Sequence, residues 1–553
     1  MAAVSTSARR RQPAVSPDAA KGDIRPRLGA SVLSDQSRKP PTRTHSASSS
    51  SSTSFFGSQL GGQSVINYSY TDLPWKLLAF DVYNFFRLAW ALPYIVWPVT
   101  PADSGALAEL APTWANLWCI TVHAVLIVLQ LVFLVGIVPA ACLLPVWVAA
   151  GIVALCLGVN HVLCALLLNG GLSALFHGST TCKSNPECAA ARPEHAHEQW
   201  VFLNGVAVGR HWMQSNLDRL ALTFGRPVLG IHNTTSGILF DVIECLVQRN
   251  YTYATRDVRV CYAILKKTLY RPDISRVVFV LHSQGGIEGG LVLDWLLQEL
   301  PQDLLAKLEV YTFGNAANHW NNPHRSVEAQ HRAAEVHHTA PQIVAESAVT
   351  AAAPHTASTS ATLTSTGQAI GHIEHYAHTS DFVALWGVLH FVSSVPKTHT
   401  MPRFLGRVFA RSSPRGGHQF CQHYLDGMFP LARDPQTGRL LKKCAETGNE
   451  FMESEIAMAR DGDEDVVVHE AFERSWAAAL NGNNSTEDAM AVAGSRTAGA
   501  PALVEMHASS PVLARQASQP RPVKVKDVSR LWQYRNGRSP DDNMARLGRL
   551  ATM

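Results

Sequence analysis

Residues 276–300 read RVVFVLHSQGGIEGGLVLDWLLQEL. Positions 277–281 are apolar and rich in β-branched side chains, the pattern of a strand buried on both faces. Further on, Ile287, Leu291, Leu296, Leu297 and Leu300 recur at helical spacing, with Glu288, Asp294, Gln298 and Glu299 between them, so an amphipathic helix is expected. His282, Ser283, Gln284, Gly285 and Gly286 join the two. A strand turning sharply into a helix through a serine is a nucleophile elbow. The strained turn exposes the hydroxyl, and the residues two before and two after it must be small. Gly285 meets that demand, whereas Leu281 puts a bulky side chain where the other small residue belongs.

Outward from this stretch, strands are expected at 200–204, 227–232 and 308–313, and helices at 217–222 and 238–248. Alternating strands and helices predict a doubly wound, mostly parallel α/β sheet. From about 326 to 367 the composition shifts to Ala, Thr, Ser and His, which reads as a disordered insertion whose His337 and His338 lie in solvent. Order is expected to resume with a strand through Tyr376 and Ala377 that ends at Ser380 and Asp381. A strand at 404–410 then runs into Gly416, Gly417 and His418. The catalytic domain thus spans 199–430, after a linker at 171–198. Residues 431–553 read as a mostly disordered tail, except for a patch at 523–538 whose Trp532 and Tyr534 should dock on the domain.

The N-terminal part is different. Residues 1–66 carry nine basic side chains against three acids and a serine run, a composition that cannot bury a core. Residues 75–98 are apolar and aromatic but contain Lys76, Asp81 and Arg87. Charges are costly at mid-membrane, so this segment reads as an interfacial helix or as one docked on the catalytic domain. Positions 117–138 and 143–168 contain no charged residue, and each is long enough to cross a hydrocarbon core, for which about 20 residues suffice. A transmembrane hairpin over 116–168 is therefore expected, with Pro139 and Pro145 at its join and Trp118 and Trp147 at interfaces. His123, Gln130 and His161 are expected to bond between its helices.

Two spans leave both ends on one side. The basic N-terminus places that side, and the hydrolase domain with it, in the cytosol on an intracellular membrane, the endoplasmic reticulum being one candidate. The 10 cysteines lack a CxxC pair and read as free thiols, Cys182 and Cys188 included. The sequons at Asn233, Asn250 and Asn484 would be acceptors only in the inverted topology. A net charge of +4 gives no footprint for nucleic acid.

A serine becomes a nucleophile when a general base takes its proton and an acid orients that base. Ser283, Asp381 and His418 occur in the order Ser, Asp, His, each after a strand, as in α/β-hydrolases. His423 is the rival base. Asp294, on the elbow helix, points away. The oxyanion donors should be the N–H of Gln284 and that of Val206, beside Gly205 in the loop after the first domain strand. His211 and Arg210 either contact an anionic head group or face solvent. This chemistry needs no metal or cofactor.

LNGVAVGRHW, LHSQGGIEGG, TFGNAANH, HTSDFVALWG and GGHQFCQHYLD together resemble the membrane-anchored lipase-like α/β-hydrolases of fungi and, more distantly, serine-esterase lipases. The resemblance implies hydrolysis of an ester or thioester through Ser, Asp and His and supplies no substrate; it is the hairpin beside a candidate interfacial helix that points to a lipid or lipid-linked ester delivered from the bilayer. The competing expectation is a catalytically inactive hydrolase-like scaffold that binds partners through its tails and insertion.

Overall fold

The structure is a computed structural model that describes residues 52–56, 73–99, 103–172, 181–328, 368–393, 406–458 and 524–540. Its centre is a nine-stranded sheet. In chain order the strands are β1 (Ser52–Phe56), β2 (Thr181–Lys183), β3 (Glu198–Leu203), β4 (Val228–Ile231), β5 (Arg276–His282), β6 (Leu308–Phe313), β7 (His372–His378) and β8 (Arg407–Arg411). A separate pair, β9 (Leu431–Arg433) and β10 (Leu440–Cys444), precedes β11 (Glu455–Met458). The order across the sheet is β11-β1-β8-β7-β6-β5-β3-β4-β2. From β8 to β4 all neighbours run parallel. β2 closes one edge antiparallel to β4, and β1 adds antiparallel to β8 at the other.

β5 is central and covered on both faces, which is why it is apolar at every position from Val277 to Leu281. Val277, Phe279 and Leu281 join one core cluster, Val278 and Val280 the other. The first cluster is filled by helices α6 (Arg256–Leu269) and α7 (Gly285–Glu299). The second is filled by α4 (Arg210–Phe224) and by the C-terminal patch, whose Trp532 and Tyr534 are buried as their aromatic character predicts.

Three expectations change. Within the stretch read as unable to form structure, β1 is a strand. Phe55 packs on Phe409 with ring centroids 5.2 Å apart, and Thr53 bonds to Ser454. A strand needs backbone partners and one apolar face, not an apolar composition. The linker at 171–198 contains β2 and part of β3. The tail after 431 continues in sheet to β11. The rest of the N-terminal tail, 329–367 with His337 and His338, and 459–523 with Asn484 lie outside the described residues.

Helices α2 (Trp114–Leu143) and α3 (Val146–Leu167) are each long and apolar enough to cross a membrane. Their polar residues depart from expectation. Gln130 Nε2 does reach Asn160 of α3 at 3.0 Å, but it also donates to Ser236 O at 2.7 Å. His123 bonds Ala207 O at 2.9 Å, and His161 is exposed. The hairpin is therefore fastened to loops of the sheet domain, not only to itself.

The segment at 75–98 docks. Helix α1 (Pro74–Arg87) buries Asp81, which pairs with Arg249 of α5 (Ile238–Tyr251) and accepts from Asn250 Nδ2 at 2.7 Å. The charge that argued against a span is satisfied inside the protein. Asn233 and Asn250 are both buried, so neither sequon is open to glycosylation in this fold. All ten cysteines are free thiols, and no cluster of metal-ligating side chains occurs among the described residues.

Candidate active site

β3 and β5 are neighbours, but the chain leaves β3 for β4 on one side and returns to β5 on the other. Such a switch point opens a crevice at the carboxyl ends of the strands. Ser283 stands at that point. Its φ is 58°, a left-handed value that a non-glycine residue holds only when its surroundings impose it. They do so by close packing. A Cβ on Gly205 would lie 2.3 Å from Ser283 Cβ, and one on Gly285 would lie 2.6 Å from Leu203 O. The bulk of Leu281 is absorbed one element away. A Cβ on Gly289 of α7 would lie 2.5 Å from Leu281 Cδ1, so the small residue the turn requires sits on the helix instead of the strand. Gly286 is equally confined, by the Asn315 amide.

The three candidate catalytic side chains meet. Asp381 caps the N-terminus of α8 (Phe382–Trp386), where its Oδ1 accepts from Val383 N–H at 2.8 Å. Its Oδ2 accepts from His418 Nδ1–H at 2.9 Å and from Tyr424 Oη–H at 2.6 Å. With its Nδ1 proton committed to Asp381, the His418 ring presents Nε2 as an acceptor, 2.9 Å from Ser283 Oγ. Burial would raise the Asp381 carboxyl, but the adjacent His418 ring and the donors around it outweigh burial and hold it below the ordinary carboxylate range. Gly314, at φ 53°, has no room for a side chain. A Cβ there would lie 2.7 Å from Asp381 Oδ2 and 3.0 Å from His418 Nδ1, wedged into the pair.

Both ring nitrogens of His423, the rival base, are engaged away from Ser283. Its Nδ1 accepts from Gln419 N–H at 2.9 Å, and its Nε2 donates to Pro98 O at 3.0 Å. Burial lowers its pKa to about 4, which keeps the ring neutral in that structural role. His282 has a different part. Its Nε2 donates to His418 O at 2.9 Å and its ring stacks on the His418 ring at 4.7 Å. Burial, with the neighbouring His418 ring, lowers its pKa to about 3. A neutral imidazole thus holds the backbone of the candidate base without competing for its proton.

The loop after β3 carries Asn204, Gly205, Val206 and Ala207. Ala207, at φ 65°, gives its N–H to Asp241 Oδ2 at 2.9 Å. Asp241 also accepts from Thr235 Oγ1 at 2.6 Å and Ser236 N at 2.7 Å, which pins the loop to α5. The N–H groups of Val206 and Gln284 have no acceptor among the described residues. These are the two donors expected from the sequence for an oxyanion. The Gln284 side chain is held from behind by Glu244 at 3.1 Å and Gln248 at 3.0 Å.

His211 bonds Asn116 of the hairpin at 3.0 Å, and Arg210 is exposed. Asp294 accepts from His319 and Asn321, away from the serine. Sequence reasoning missed Tyr424, Gly289, Gly314 and Asp241. Tyr424 stands six residues after His418 inside a segment already singled out, but nothing in its spacing points to Asp381. Compared with known proteins, the chain matches no family model, no curated protein and no solved structure.

Proposed function

We propose that the chain is a membrane-attached serine hydrolase of the α/β-hydrolase type that cleaves carboxylic esters, of lipids or lipid-linked molecules. The observation that carries this reading is the single histidine, His418, hydrogen-bonded at 2.9 Å to both Ser283 Oγ and Asp381 Oδ2, with all three residues following parallel strands of one sheet. In this mechanism His418 Nε2 takes the Ser283 proton as Oγ attacks the acyl carbon. The N–H groups of Gln284 and Val206 hold the oxygen that becomes negative. His418 then protonates the leaving alkoxide, and water activated by the same ring frees the acyl group from Ser283. Asp381, held in place by Tyr424 and Val383, stabilises the imidazolium. Free thiols throughout agree with a catalytic portion on the cytosolic side of an intracellular membrane.

Fluorophosphonate labelling of membranes holding the wild-type chain, Ser283→Ala, His418→Ala and His423→Ala tests the reading. Labelling of the wild type and of folded His423→Ala, lost in Ser283→Ala and His418→Ala, supports it. An unlabelled wild type that is folded and detergent-accessible overturns it in favour of a non-catalytic scaffold.

A further inference from the structure

The helices that flank the hairpin are built inside out. α1 buries Asp81 and Asn84 while Trp75, Tyr83 and Phe86 are exposed. α5 buries Asp241, Gln248 and Arg249 and exposes Ile243, Val247 and Tyr251, spaced four apart on its outer face. α2 buries Asn116, His123 and Gln130 beside Cys119, Val122 and Leu126, and exposes Leu117, Val125, Val128, Leu129, Val132 and Val135. α1 packs on α5 through Asp81, and α5 meets α2 where Phe240 touches Phe133, with ring centroids 5.8 Å apart. One surface is therefore largely apolar across three neighbouring helices, with Lys76 and Arg87 of α1 also exposed, long side chains whose charged ends can reach head groups. A water-facing helix shows the opposite arrangement.

The hairpin also lacks a far end suited to water. Residues 131–159 contain no charged, amide or hydroxyl side chain. At its turn Leu143, Val146 and Trp147 are about four-fifths exposed (81%, 84% and 77%). The reach of the hairpin agrees. Contacts with the sheet domain extend along α2 to Phe133 and along α3 back to Asn160. Beyond them α2 projects for roughly 15 Å and α3 for roughly 21 Å, at 1.5 Å per residue. A hydrocarbon core is about 30 Å thick. To emerge on the other side, the hairpin would have to drag exposed Thr234 into hydrocarbon.

We propose that this surface lies on a single leaflet: the hairpin ends within the hydrocarbon core without crossing it, and the outer faces of α1 and α5 rest among the head groups and upper acyl chains of the same leaflet. The partner is the bilayer itself. The proposal is independent of the chemistry at Ser283. It revises the spanning hairpin expected from sequence, because length and apolarity alone do not distinguish a span from an insertion whose turn is also apolar.

Cys142, exposed beside the turn, is a built-in probe. The full chain is placed in phosphatidylcholine vesicles and treated with a membrane-impermeant maleimide. The treatment is repeated after a pore-forming peptide has opened the lumen, and again in detergent, with modification read site by site by mass spectrometry. Gln298→Cys, on the exposed end of α7, reports the aqueous side, and Phe86→Cys and Val247→Cys report the two flanking faces. Expected is rapid labelling of Gln298→Cys throughout. Cys142, Phe86→Cys and Val247→Cys should react at least about tenfold more slowly in vesicles, because the reactive thiolate is disfavoured out of water, and at full rate in detergent. Labelling of Cys142 once the lumen is opened shows a true span and overturns the proposal. Labelling of Cys142 from outside, or of the flanking cysteines as fast as Gln298→Cys in intact vesicles, places the surface in water and overturns it equally.

Discussion

Helices α1 and α6 are both 14 residues long and pack toward the same core cluster, yet they turn opposite chemistry toward the protein. α6 buries Val258, Cys261, Leu265 and Leu269, with Asp257 and Thr268 at the margin of that face, and leaves Arg256, Arg259 and Lys267 in solvent. α1 buries a carboxylate and an amide and leaves aromatic rings outside. The direction of a helix's apolar face reports the medium it was built for. α6 is held to the sheet by removing apolar surface from water, while α1 is held largely through Asp81, paired in the interior with Arg249, with Phe85 edge-on to Phe382 at 5.1 Å.

That contrast can be broken by substitution. Asp81→Ala strands Arg249 in the interior and should cost about 3–5 kcal/mol, the loss expected when one partner of a buried pair is removed. Thermal unfolding in detergent measures it, and a change near zero would mean that α1 is not held by its polar face. Leu265→Ala on α6 should cost about 2–5 kcal/mol through lost burial and a residual cavity, read in the same assay.

Glu244 on α5 sharpens the comparison through pH. Burial, together with Asp241 and Asp257, raises its pKa to about 7. The folded state keeps a proton that the unfolded chain releases above the ordinary glutamate range. Stability is thus full below about 4.5 and falls as pH rises toward 7. Glu244→Gln should match the wild type near pH 4.5 and melt at a higher temperature at pH 8. Parallel melting curves across pH would show that the inward face of α5 is solvated. The smallest effect belongs to the outward face. Phe86→Ser should alter detergent-phase stability by no more than about 0.5 kcal/mol, as for most surface changes, while weakening sedimentation with vesicles. A large loss of stability would make Phe86 a core residue.

What could be read from the sequence followed the range of the interactions involved. The β5–α7 stretch, the Ser283, Asp381 and His418 order and the uncharged hairpin announce themselves locally, by periodicity and by position after strands. β1 does not, because its partners lie beyond residue 400 and its composition is that of a polar tail. The helical spacing of Val258, Cys261 and Leu265 is local too, though it lies between two stronger signals. Tyr424 and Gly289 act across space, one on Asp381 and the other beneath Leu281, and no spacing rule connects them. The inward bonds of His123 and Gln130 were hidden for the same reason: a polar residue in an apolar run states that it has a partner, not which one.

The placement of β1 between β8 and β11 has a consequence in time. Thr53 and Ser454, which bond across that edge, are 401 residues apart. At a synthesis rate of roughly 5–20 residues per second, β1 leaves the ribosome about 20–80 s before its last neighbour exists. Until β8 is made, the strand has no sheet to join. Once made, β8 in turn offers an open edge until β1 returns to it. The last sheet-closing event in the life of a new chain is thus made by a segment synthesised 401 residues earlier, and a nascent protein stalled before residue 455 would expose pairing groups that the finished fold conceals.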